Sequence, residues 1–90
     1  MLQADLKSER IYSALKAFVL QQLETRGIPD IPDDASLVDA GVIDSLGIFQ
    51  LIAFLENTFR VHISDDEIVL SNFETIERTT RFVLAKQAAA

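Results

Sequence analysis

The chain contains no cysteine. Disulfides, thiolate metal sites and a cysteine nucleophile are therefore excluded, and any thiol chemistry has to come from a bound group. Three glycines are too few to build a glycine-rich phosphate loop. The single histidine, His62, stands between Val61 and Ile63, and nothing in the pattern brings it to a serine. A structural or surface role is expected for it. No apolar run approaches the length of a transmembrane helix. The opening residues Met1 to Arg10 are mixed and charged, without a secretory pattern, which sets the expectation of a cytoplasmic protein. No β-hairpin signal and no internal repeat is visible. Asp30, Asp33 and Asp34 lack the glycine and the closing glutamate of a calcium loop, and Asp65-Asp66-Glu67 reads as helix capping, so no metal site is expected.

What is present is a core and an uneven charge. Ninety residues, 49% of them hydrophobic, suit one small domain built on a single core. The core is expected over about residues 8–86. The tail 87–90 carries no functional signal and is in part of the kind left by cloning. The net charge is −6, but residues 24–67 hold ten acids and two bases, whereas the rest hold four acids and six bases. Such a surface is a poor partner for nucleic acid and a good one for a basic protein patch.

Four helical patterns follow. Ile11, Leu15, Phe18 and Val19 recur at helical spacing over about Ser8 to Arg26, and Gly27 and Pro29 end that helix. A loop of about eighteen residues, 27–44, holds both prolines but also Leu37, Val42 and Ile43. Apolar anchors in a loop of that length predict a packed, functional segment. The second helix is expected from Ser45 to Phe59, with Asp44 or Ser45 as N-cap. Its core stripe is Ile48, Leu51, Ile52, Leu55 and Phe59. Leu46, Phe49 and Ala53 fall on another face, beside Ser45, with Gln50 on the same turn. This surplus of apolar residues is most simply a docking surface; the alternative is that Leu46 or Phe49 packs beneath the long loop. Ser64 with Glu67 reads as a capping box opening a short third helix over Asp65 to about Leu70, broken by Ser71-Asn72. The last helical pattern runs through Phe73, Ile76, Thr80 and Val83, with Thr75 as N-cap. Tyr12 and the phenylalanines other than Phe49 are expected in the core.

The most informative segment is Asp39-Ala40-Gly41-Val42-Ile43-Asp44-Ser45-Leu46. It puts a serine at the mouth of a helix, where the dipole's positive end and free amides tolerate a phosphate diester. The octet resembles the attachment site of acyl and peptidyl carrier proteins. Leu37-Val38-Asp39-Ala40-Gly41, the run Leu51, Leu55, Glu56, Phe59, then Ile63, Asp65-Asp66-Glu67 and Thr75-Ile76 extend the resemblance over about residues 10–85. It implies an all-α four-helix bundle with a long first loop and a short third helix. It also implies covalent 4′-phosphopantetheine on Ser45, with Asp44 before it, and docking through Leu46, Phe49, Gln50 and Ala53.

The same resemblance implies a monomer that is not an enzyme and whose partners are enzymes: a phosphopantetheinyl transferase, an adenylating ligase or acyltransferase, and downstream tailoring or condensing enzymes. Neither nucleic acid nor membrane is expected as a partner. A catalytic serine needs a base and an oxyanion hole, and Ser45 has no evident base, so it reads as a substrate. Carriers of fatty-acid synthesis usually have acids where this chain has Gly47 and Gln50. The chain is thus more similar to stand-alone carriers of natural-product pathways, which hold aminoacyl groups as thioesters. An acyl carrier for fatty-acid or polyketide synthesis, and an unmodified helical interaction module, are the alternatives.

Overall fold

The computed structural model describes residues 2–89, with side chains from Leu6 onward. Four helices form: α1 (Leu2–Arg26), α2 (Ser45–Phe59), α3 (Leu70–Phe73) and α4 (Ile76–Ala89), with a 3-10 turn at Asp65–Glu67. No strand occurs among the described residues. Helix α4 is the hub: α1, α2 and α3 all pack against it.

Helix α1 starts at Leu2, six residues before the expected Ser8, because nothing in residues 2–7 interrupts it: no proline and no glycine stands there. Ile11, Leu15, Val19 and Leu23 form its buried stripe, one turn longer than the pattern suggested. It closes in a Schellman arrangement. Gly27 takes φ +67°, its amide donates to Glu24 O at 3.2 Å, and the Ile28 amide donates to Leu23 O at 2.9 Å.

The loop 27–44 packs as expected. Leu37 and Val42 are fully buried and Ile43 nearly so. The Leu37 carbonyl accepts from the amides of Val42 and Ile43, at 2.9 and 3.1 Å, and the Leu37 amide donates to Glu74 O at 2.8 Å. The loop thereby satisfies its own buried backbone groups and fastens to the turn before α4. A second fastening is electrostatic: Lys16 Nζ lies 3.4 Å from Asp30 and 3.3 Å from Asp33.

The third helix differs from expectation. The capping box at Ser64 forms, but it opens only a single 3-10 turn. Val69 then adopts an extended conformation (φ −124°, ψ 147°), and α3 begins after it. Two β-branched residues, Ile68 and Val69, stand at the division, where their stiff side chains favour extended backbone. Ser71-Asn72, expected to break a helix, lie inside α3. Asn72 Nδ2 donates back to Glu67 O at 2.8 Å and bridges the two pieces.

Thr75 caps α4, accepting from the Arg78 amide at 2.9 Å. The helix continues through Ala89, so residues 87–89 belong to it instead of forming a separate tail. Thr79 and Thr80 are buried with their hydroxyls donating to Thr75 O and Ile76 O, each at 2.8 Å. The aromatic residues bind the layers together. Phe18 stacks on Phe54 (centroids 4.7 Å apart), Phe54 meets Phe59 edge-on, and Phe73 meets Phe82 edge-on. Tyr12 packs half-buried against the same core.

Candidate functional site

The site begins with a cap. Asp44 holds extended backbone (φ −98°, ψ −175°), and its Oδ1 accepts from the Gly47 amide at 2.7 Å. This satisfies one of the free amides at the start of α2. The Gly47 amide, followed by the nearby Arg26 guanidinium, holds the Asp44 carboxyl below the usual aspartate range. Asp44 is therefore an anion at neutral pH. Gly47 suits this tight approach: a Cβ there would lie 3.2 Å from both Asp44 Oδ1 and Ile43 Cγ2, so a larger residue would press the cap or Ile43 back by a few tenths of an ångström. Gly47 is buried and adds no charge to the turn.

Ser45 follows as the first residue of α2 and is exposed. Beyond it the helix divides. Leu51 and Leu55 are 0% exposed and Ile52 6%, whereas Leu46 is 69% and Phe49 60% exposed. Ile48 and Phe59 are half-buried at the edge of the core, and Gln50 and Ala53 are exposed. Leu46 and Phe49 thus do not pack beneath the long loop. They lie open beside Ser45, on a helix that is already anchored by its opposite face.

One expectation changes. The acidic surface near Ser45 is partly compensated, because Lys16 engages Asp30 and Asp33, and Arg26 Nη2 lies 3.7 Å from Asp44 Oδ2. Glu56, the one acid of α2, serves the fold: its Oε2 accepts from the Ile63 amide at 2.9 Å and orders the turn after the helix. His62 is a surface residue, with 88% of its side chain exposed and Glu56 at 3.7 Å. Arg26 was not singled out by sequence. The signal available was that it is one of only two bases in the acid-rich stretch 24–67.

Other hydroxyls are used differently. Ser36 Oγ accepts from the Asp39 amide at 3.1 Å, and the Ser64 hydroxyl donates to Asp66 at 2.7 Å within its capping box. Ser45 differs from them in opening a fifteen-residue helix directly after an N-cap acid. An exposed hydroxyl at a helix N-terminus fits a phosphodiester, since the terminus favours negative charge.

A packed helical bundle presenting a serine at the start of its second helix defines a class of small carrier domains. The chain belongs to the family described as "Phosphopantetheine attachment site", whose model matches residues 13–83. Among curated proteins it is 35% identical over 66 residues to a D-alanyl carrier protein of Streptococcus sanguinis, covering 71% of this chain and 84% of that one. It is 37% identical over 62 residues to the D-alanyl carrier protein of Streptococcus uberis, covering 69% and 77%. With that of Streptococcus pyogenes serotype M1 it shares 38% over 56 residues, covering 62% and 71%. No solved structure matches the chain. Family membership makes it a carrier: 4′-phosphopantetheine is attached covalently to a serine and holds an acyl or aminoacyl group as a thioester. Carriers are generally not catalysts themselves and work with transferases and ligases. Among the described residues no helix is long and apolar enough to cross a membrane.

Proposed function

We propose that Ser45 is the attachment residue and that the chain is an aminoacyl carrier, monomeric and cytoplasmic. It receives its cargo from an adenylating ligase and presents it to a downstream enzyme. The observation that carries the reading is the conjunction at the start of α2: an exposed serine, capped by Asp44, beside exposed Leu46 and Phe49.

Each residue has a task. Asp44 fixes the first turn of α2 through the Gly47 amide and so holds the Ser45 hydroxyl at a defined place. A transferase supplies the base that takes the hydroxyl proton; the chain's one histidine, His62, follows the far end of α2. The attached group supplies a terminal thiol, which the cysteine-free chain itself lacks. Leu46, Phe49 and Ala53 offer partners an apolar surface that costs little to desolvate, with the polar amide of Gln50 beside it. Their rigid helical setting keeps the ordering cost of docking low. Apart from the phosphodiester formed at the Ser45 hydroxyl, the chain's own side chains make and break no bond.

The aminoacyl cargo rests on two supports. The relatives are named as D-alanyl carriers, which makes D-alanine the first amino acid to try. The docking turn also carries Gly47 and Gln50 where an acid-dependent recognition would need charge. Ligase binding is therefore expected to weaken only modestly with added salt, because few exposed charge pairs contribute. The test is competitive loading of the phosphopantetheinylated protein. One arm offers malonyl-coenzyme A with a malonyl transferase; the other offers D-alanine and other amino acids with adenylating ligases. Acceptance of an amino acid in preference to malonyl supports the reading. Efficient malonyl loading with no amino acid accepted overturns the cargo assignment in favour of fatty-acid or polyketide synthesis.

A further inference from the structure

Arg26 stands in the last turn of α1, and its guanidinium Nη2 lies 3.7 Å from Asp44 Oδ2. The other Asp44 oxygen is already taken by the Gly47 amide at 2.7 Å. The contact to Arg26 is long and its side chain is 36% exposed, so this pair is loose and open to exchange. Ser45 is the next residue along the chain. A guanidinium that reaches one oxygen of Asp44 therefore stands beside the residue that precedes the hydroxyl.

Electrostatics favours that exchange. The other base of the stretch 24–67, Arg60, lies beyond the far end of α2. Asp39 and Asp44 precede Ser45 and no base lies between Arg26 and Arg60, so a phosphodiester there adds negative charge to an acidic segment. The planar fork of an arginine matches phosphate oxygens and can serve two acceptors at once. We propose that Arg26 is a phosphate-contacting residue of the carrier: it engages the phosphodiester on Ser45 and fixes the base of the arm against the junction of α1 and α2. This rests on Ser45 being the attachment residue. In the unmodified chain Asp44 holds the guanidinium in waiting. After modification the phosphate shares or takes it.

The experiment loads the wild type, Arg26→Gln, Arg26→Lys and Asp44→Asn, with completion judged by intact mass. The 31P resonance of the diester is then recorded for each, at low and high salt, beside the urea-unfolded loaded protein. Asn still caps a helix, so Asp44→Asn removes the ion pair while keeping the first turn of α2. The wild-type resonance is expected to be displaced from the unfolded value and to move toward it with salt. Arg26→Gln loses most of that displacement and its salt response, Arg26→Lys keeps part of it, and Asp44→Asn keeps or enlarges it. A resonance unchanged by Arg26→Gln overturns the proposal. So does an equal loss in Asp44→Asn and Arg26→Gln, which would make Arg26 a support of the cap alone. Failure of the wild type to gain the mass at all overturns the Ser45 reading, and is seen before any resonance is recorded.

Discussion

The two faces of α2 are built from the same kind of residue and do opposite things. Leu51 and Leu55 are completely buried, while Leu46 and Phe49, on the same helix, are more than half exposed. Hydrophobicity alone does not separate them. Position on the wheel does: the buried pair faces the core shared with α4, and the exposed pair faces away from it, beside Ser45. One face is spent on holding the helix, which frees the other for a partner. Exposed apolar groups grouped beside a reactive hydroxyl are a recognition surface by the ordinary criterion that isolated ones need no explanation and grouped ones do.

The comparison breaks most sharply in the core. Leu55→Ala removes a fully buried side chain and is expected to cost about 2–5 kcal/mol of stability, read as a lower urea midpoint. Phe49→Ala is expected to leave that midpoint nearly unchanged. Its deficit should instead appear in partner engagement, where loss of an aromatic anchor costs about 2 kcal/mol or more, read as a higher KM for loading. Equal stability losses in the two variants would show that the faces were assigned wrongly. The smallest effect concerns pH and belongs mainly to the supporting part of the molecule. Lys86, and next the Ser64 amide, hold the Glu67 carboxyl at about 2, whereas an unfolded glutamate titrates near ~4.3. The ionised folded form therefore adds stability above that unfolded value, and the contribution is lost as pH falls toward about 2. Asp44, also lowered, loses its contribution in the same direction. Thermal melts across this window should show a shallower acid limb for Glu67→Gln, with loading at neutral pH unchanged.

The features legible in the sequence are those with a local signature. The bounds of α2 follow from the Asp44 cap at one end and the apolar period ending at Phe59 at the other. Leu37, Val42 and Ile43 declared a packed loop because apolar residues in a proline-bearing segment have nowhere else to go. The Ser64–Glu67 capping box and the Thr75 cap were readable for the same reason. The third helix was not, because a capping box states where a helix starts and not how long it lasts, and Ile68 and Val69 ended it after one turn. The pairs Lys16–Asp33, Arg26–Asp44 and Lys86–Glu67 were invisible too. Each joins residues seventeen to nineteen apart across a loop or between helices, and no periodicity links such positions. At the site, Ser45, Leu46 and Phe49 were legible as local pattern, and Arg26, brought in by the fold, was not.

The central claim is that the exposed start of α2 is the modified site and that its buried face only supports it. Intact-mass measurement after incubation with coenzyme A and a broad-specificity phosphopantetheinyl transferase tests it directly, on the wild type, Ser45→Ala and Phe49→Ala. The account predicts a gain of one phosphopantetheine in the wild type, the same gain reached more slowly in Phe49→Ala, and none in a folded Ser45→Ala. A wild type that stays unmodified with several active transferases, or a Ser45→Ala protein that still gains the mass, would contradict it.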